Sequence, residues 1–198
     1  MMLAAVAVVA FVAVAGAVFW LSEQQARKMQ VGIPDFSSQE FRLIDQSGAS
    51  RSAVDFIGAP VALFFGYTYC PDVCPMTLTL LANALDELGD RGLDTAALQT
   101  IFVTVDAERD TPEQLAAYLS LFDTEVTGLT GSPEALVKVQ RDFSAYASRV
   151  ARDDEVVLWD HTATVYLYDA DGLFTGTIVF NEPLEFATEK LAHLFQAG

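Results

Sequence analysis

Cysteine and histidine are scarce in this chain, and basic residues are few. Of 198 residues two are cysteine and two are histidine. Cys70 and Cys74 have three residues between them. Two thiols this close cannot build a disulfide framework across a domain, so a fold must rest on a hydrophobic core. Lys and Arg number 11 against 27 Asp and Glu, a formal net charge of −16. Phosphate binding needs a basic surface, so nucleic acid is excluded as a partner. There is no internal repeat or low-complexity tract after the leading segment, which excludes solenoid and fibrous architectures. The Cys-x-x-Cys spacing of dithiol oxidoreductases is also missing.

What is present begins with an apolar run. Residues 1–21 carry no charged side chain, and at a helical rise of 1.5 Å per residue they span roughly 30 Å, a bilayer's hydrocarbon core. A single N-terminal transmembrane helix is expected there. Small residues near Ala15 and Ala17 suit a cleaved signal peptide, but the run continues through Phe19, Trp20 and Leu21, which favours an anchor. Arg27 and Lys28 follow the run and no basic residue precedes it, so the positive-inside rule taken alone would place the domain in the cytoplasm. A true start upstream of Met1 would remove that conflict. Residues 22–30 read as a polar stalk, and residues 31–198 as one domain. That domain holds 26 of the acids and 9 of the bases. Such a surface suits a cationic or metal-bearing partner, or simply good solvation.

Within the domain, residues 41–45 and 51–54 flank Gln46-Ser47-Gly48 and read as a hairpin. Residues 61–65 and 100–105 are apolar enough for buried strands, and residues 76–88 place Leu78, Leu81, Leu85 and Leu88 at helical spacing. Thr111-Pro112-Glu113-Gln114 and Ser132-Pro133 open helices to about Phe122 and Phe143. Leu129 falls in a short extended piece. Residues 162–168 and 173–180 form a hairpin about Ala170-Asp171-Gly172, and a last helix follows Pro183. The expected order is hairpin, then β-α-β-α-α-β-β-α. It suits a mixed β-sheet flanked by helices, as in thioredoxin-like α/β folds with an extra helix inserted.

The cysteine pair lies between a strand and a helix, where the helix dipole favours thiolate over thiol. Asp72 opposes this, since a nearby carboxylate raises a thiol pKa. A structural disulfide closing so short a loop would contribute only about 2 kcal/mol. Thiol–disulfide exchange is the stronger rival, with Cys70 and Cys74 as its catalytic residues. At the place where thioredoxin relatives usually put a proline, this chain has His161. Two thiolates and an imidazole make a soft three-donor set that suits Cu(I). Zinc with a water as fourth ligand is the weaker alternative, because structural zinc takes four protein ligands. His193 falls on the last helix and reads as a surface or packing residue.

Phe65-Gly-Tyr-Thr-Tyr-Cys-Pro-Asp-Val-Cys-Pro75 resembles the copper-binding signature of the Sco/SenC family, the assembly factors of cytochrome c oxidase. Val103-Thr-Val-Asp-Ala-Glu-Arg-Asp-Thr-Pro112, Gly128-Leu-Thr-Gly131 and Asp160-His161-Thr162 agree in order and spacing. Ala107 departs from the pattern, where the family more often has proline. The resemblance implies copper, as Cu(I) and also Cu(II), on Cys70, Cys74 and His161. It implies an inner-membrane protein with its domain in the periplasm, or in the mitochondrial intermembrane space of a eukaryote. It further implies delivery of copper to the CuA site of oxidase subunit II, with other copper chaperones as partners. Reduction of the target's copper-site cysteines, and redox or copper sensing, are the alternatives. Asp106 and Arg109 are expected near the site, and Asp160 either orients His161 or faces water.

Overall fold

Val61-Ala-Leu-Phe-Phe-Gly66 has no polar side chain, and it forms a wholly buried strand, β3 (Val61–Gly66), in the middle of the molecule. The computed structural model describes residues 32–151 and 157–196, and Gly16 alone from the leading segment. The expected anchor and stalk, Gly16 aside, lie outside the described residues. Among those described, no helix is long and apolar enough to cross a membrane.

The other strands are β1 (Leu43–Asp45), β2 (Ser50–Arg51), β4 (Gln99–Thr104), β5 (Val126–Thr130), β6 (Ala147–Ala151), β7 (Val157–His161), β8 (Thr164–Tyr168) and β9 (Phe174–Val179). The helices are α1 (Val73–Asp90), α2 (Pro112–Leu119), α3 (Pro133–Asp142) and α4 (Leu184–Gln196). Seven strands form one mixed sheet in the order β2-β1-β5-β4-β3-β8-β9. β3, β4 and β5 are parallel, while β8 runs antiparallel to β3 and β9 to β8. This is the thioredoxin-like arrangement, entered through the expected β1–β2 hairpin.

Side chains alternate across β3, so neighbours in sequence serve opposite faces. Phe65 packs with Phe143 and Tyr166, and Phe143 extends this cluster to Phe36 and Tyr168. Phe64 points the other way, to Phe102 and His161. Burying an aromatic or Leu side chain contributes roughly 1.5–3 kcal/mol, so this double-sided strand is a principal source of stability. Helix α2 covers β5 so closely that a Cβ on Gly128 would lie 2.6 Å from Leu119.

The helix starts behave as expected at Thr111 and Ser132, whose hydroxyls accept from the Gln114 and Ala135 amides. Two expectations are corrected. Residues 126–130 form a full internal strand between β1 and β4, not a short extended piece. Ala147–Ala151 and Val157–His161 pair as a separate two-stranded ribbon, β6–β7, that the sequence pattern did not suggest.

Candidate metal centre

Chain direction at the carboxyl end of β3 places the first thiol. After Gly66 the backbone turns, with the Cys70 amide bonded to the Tyr67 carbonyl at 3.2 Å. Helix α1 then begins at Val73, so Cys74 and Pro75 lie in its first turn and not in the preceding loop as expected. Proline is tolerated there because the first amides of a helix have no intrahelical acceptor.

Asp72 stands at the N-cap but makes no side-chain capping bond. The Cys74 amide instead donates to the Cys70 sulfur at 3.3 Å. Cys70 thus does what a capping side chain does, and the exposed amide ends favour its anion. Hydrogen bonding to Cys74, opposed by burial and aided by His161 and the Cys74 and Asp72 amides, holds the Cys70 thiol down at about 4. Cys74 is fully buried. Burial, and then the charge on Cys70, push its thiol far above the ordinary range. The two thiols are therefore driven in opposite directions, Cys70 toward the thiolate and Cys74 toward the thiol.

His161 arrives from the end of β7. Its Nε2 lies 3.5 Å from the Cys74 sulfur, and its Nδ1 is 3.1 Å from the Thr162 carbonyl. A carbonyl only accepts, so the contact is an Nδ1–H donating to Thr162, which leaves Nε2 as the nitrogen that faces the sulfurs. Asp160 is exposed and plays no part in that bond; the backbone of Thr162 does the orienting. The ring stands edge-on to Tyr67 and Phe64, with centroids 5.7 and 6.1 Å away. The Cys70 and Cys74 sulfurs and a His161 nitrogen all lie within 4.8 Å of one another. They are the group among the described residues able to take a metal ion.

Gly66 is required by close approach. A Cβ there would lie 2.7 Å from the Phe102 ring and 2.9 Å from the Cys74 sulfur. Asp106, expected near the site, is buried and ion-paired with Arg109. The Arg109 guanidinium carbon lies 4.8 Å from the Tyr69 ring centroid and 5.9 Å from that of Tyr67. His193 is exposed on α4 and is not one of the clustered residues. The sequence reading missed Tyr67, whose hydroxyl accepts from the Trp159 amide at 3.3 Å and so links the cysteine loop to β7. A tyrosine three residues before the first thiol was the available signal. Cys70 and His161 open into a cleft of about 230 Å³ lined also by Pro71, Asp72, Leu158 and Trp159.

A thioredoxin-like sheet with a cysteine pair at a helix start and a histidine aimed at it defines a class: thiol-bearing thioredoxin-like proteins with a soft-donor cluster. Within that class the particular family is shown by comparison. The chain belongs to the SCO1/SenC family, whose profile matches residues 33–196. It is 39% identical over 152 residues to the mitochondrial Protein SCO2 homolog of Danio rerio, covering 76% of this chain and 52% of that protein. It is 40% identical over 129 residues to Protein SenC of Rhodobacter capsulatus, covering 65% of this chain and 57% of that one. The chain spans about half the length of the curated relatives it matches. Among solved structures, Bradyrhizobium japonicum ScoI with copper bound superposes with a TM-score of 0.71 at 38% identity. That match covers 79% of this chain and 98% of the other.

Proposed function

We propose that this chain is a membrane-anchored copper chaperone. It takes Cu(I) between Cys70, Cys74 and His161 and delivers it during assembly of the CuA site on subunit II of cytochrome c oxidase. One observation carries the reading: two sulfurs and one imidazole nitrogen converge within 4.8 Å. Soft sulfur selects Cu(I), and three donors satisfy it. Structural zinc would want a fourth protein ligand. Copper in the related ScoI structure supports the same choice.

The arrangement also suits release. Cys74 is sealed in the protein, while Cys70 and His161 line a cleft open to solvent. An incoming thiolate from a partner can enter that cleft and exchange for one donor at a time. Loading displaces the Cys74 proton to solvent, so uptake is linked to deprotonation. Other copper chaperones are the natural source of the ion.

The test is transfer. The soluble domain, loaded anaerobically with one equivalent of Cu(I), is mixed with a metal-free CuA domain. Copper should move to the CuA domain, and His161→Ala should weaken Cu(I) binding severely. Retention of copper by the chain under these conditions would count against the delivery role.

A second reading is favoured by the unequal thiols. Cys70 as thiolate can attack a target disulfide, and Cys74 then resolves the mixed disulfide. The chain ends as Cys70–Cys74 disulfide and the target as two thiols. Here His161→Ala should leave reduction of an oxidised CuA domain largely intact while copper delivery is lost.

A further inference from the structure

The loop that presents Cys70 is gripped by one turn, residues 106–110, which follows β4. Asp110 is 0% exposed, yet both carboxylate oxygens are engaged. One accepts the Thr68 hydroxyl at 2.6 Å. The other accepts the Thr68 amide at 3.0 Å and the Thr104 hydroxyl. Thr68 is two residues before Cys70. Arg109, the neighbour of Asp110, lies over Tyr67 and Tyr69 on either side of Thr68. Three consecutive loop residues are therefore held by two consecutive turn residues.

The same turn reaches the histidine arm. Glu108 accepts both Arg149 terminal nitrogens, at 3.2 and 3.0 Å, and Arg149 lies 5.7 Å from the ring of its cross-strand partner Trp159. Both members of that ion pair are about half exposed or more. Exposed pairs contribute little, so the burden falls on the buried carboxylate. A buried charge without partners is costly, whereas one with three donors is a rigid anchor.

We infer that Asp110 is a positioning residue for the metal centre: by fixing Thr68 it sets where the Cys70 sulfur stands relative to Cys74 and His161. This rests on the copper-binding reading and deepens it. Asp110 touches no metal donor. It acts through the loop, as groups behind metal ligands commonly do, and their loss typically weakens binding about 10- to 100-fold.

The experiment compares the metal-free parent, Asp110→Asn and Asp45→Asn, each titrated anaerobically with Cu(I) against a chromophoric chelator. Sulfur-edge absorption of the loaded forms is recorded alongside. Asp110→Asn turns one acceptor into a donor facing Thr68 or Thr104. It should weaken Cu(I) binding about 10- to 100-fold and alter the copper–sulfur edge feature. Asp45→Asn removes a buried carboxylate on β1, which β5 and β4 separate from β3, and should lower the melting temperature without changing affinity. Equal affinity for the folded Asp110→Asn and the parent overturns the inference, as does equal weakening by Asp45→Asn. Failure of the parent itself to bind Cu(I) defeats the copper reading separately. Should Asp110→Asn not fold, Thr68→Val decides. It removes one donor from the loop, with several-fold weaker binding expected and unchanged affinity as the contrary result.

Discussion

At the scale of single residues the two thiols are not equivalent, and chemistry should report it. The Cys70 thiol is held at about 4 by hydrogen bonding, so its thiolate persists above that value and is lost as pH falls through it. Alkylation followed by mass spectrometry should label Cys70 before Cys74. The Cys70 rate should change little between pH 8 and pH 6 once corrected for the reagent. Preferential labelling of Cys74 would reverse the assignment of thiolate and thiol. Gly66 is a second single-residue test. Gly66→Ala forces a methyl into the Phe102 ring and the Cys74 sulfur, and overpacking of this kind costs roughly 1–3 kcal/mol. Thermal unfolding should show that loss, with weakened metal binding beside it. That Cys70, Cys74 and His161 come together was legible in the sequence, because two thiols in a proline-bounded loop and a histidine in place of the usual proline are unusual choices. The orienting group was not. A backbone carbonyl, here that of Thr162, leaves no mark in residue type, and Asp160 was the only neighbour whose side chain suggested the role.

At the scale of elements the β1–β2 hairpin makes its own prediction. Asp45 is buried, which pushes its carboxyl up. The Ser47 hydroxyl, the Arg51 guanidinium and the Ala49 and Ser47 amides outweigh that and hold it at about 2, against an ordinary 3.8. A depressed folded pKa contributes stability above the ordinary value that is lost as pH falls toward the folded one. Unfolding midpoints should therefore drop between about pH 4 and pH 2, and Asp45→Asn should flatten that drop. The substitution itself should cost roughly 1.5–3 kcal/mol, the range for hydrogen bonds to a charged group. Failure to flatten the acid limb would show that other carboxylates govern it. The hairpin was readable because Gly48 follows two polar residues between apolar runs. The β6–β7 ribbon was not, for a physical reason. Ala147-Ser148-Arg149-Val150-Ala151 is mostly small or polar and lies outside the main sheet, so burial never imposed the alternation that marks a strand. Likewise β5 has Gly128 in its middle, and glycine weakens the strand signal even where close packing by Leu119 requires it.

At the scale of the whole molecule the sheet order, the helix positions and the family membership agree. The thioredoxin-like reading held because buried strands such as β3 are fixed by hydrophobicity, which a sequence displays openly. Ligation is a whole-molecule matter too. Cys70 and Cys74 lie 87 or more residues before His161 in sequence, so a bound ion joins distant parts of the chain and stabilises the folded form by mass action. Free Cu(I) at a thousand times its Kd should add about 4 kcal/mol, or roughly 10 °C in Tm for a domain of this size. The measurement that bears most directly on the account is copper-edge X-ray absorption of the soluble domain loaded with one Cu(I). The expected first shell is two sulfurs and one imidazole nitrogen, reduced to sulfur alone in His161→Ala. A parent spectrum with no nitrogen scatterer, unchanged by His161→Ala, would contradict it.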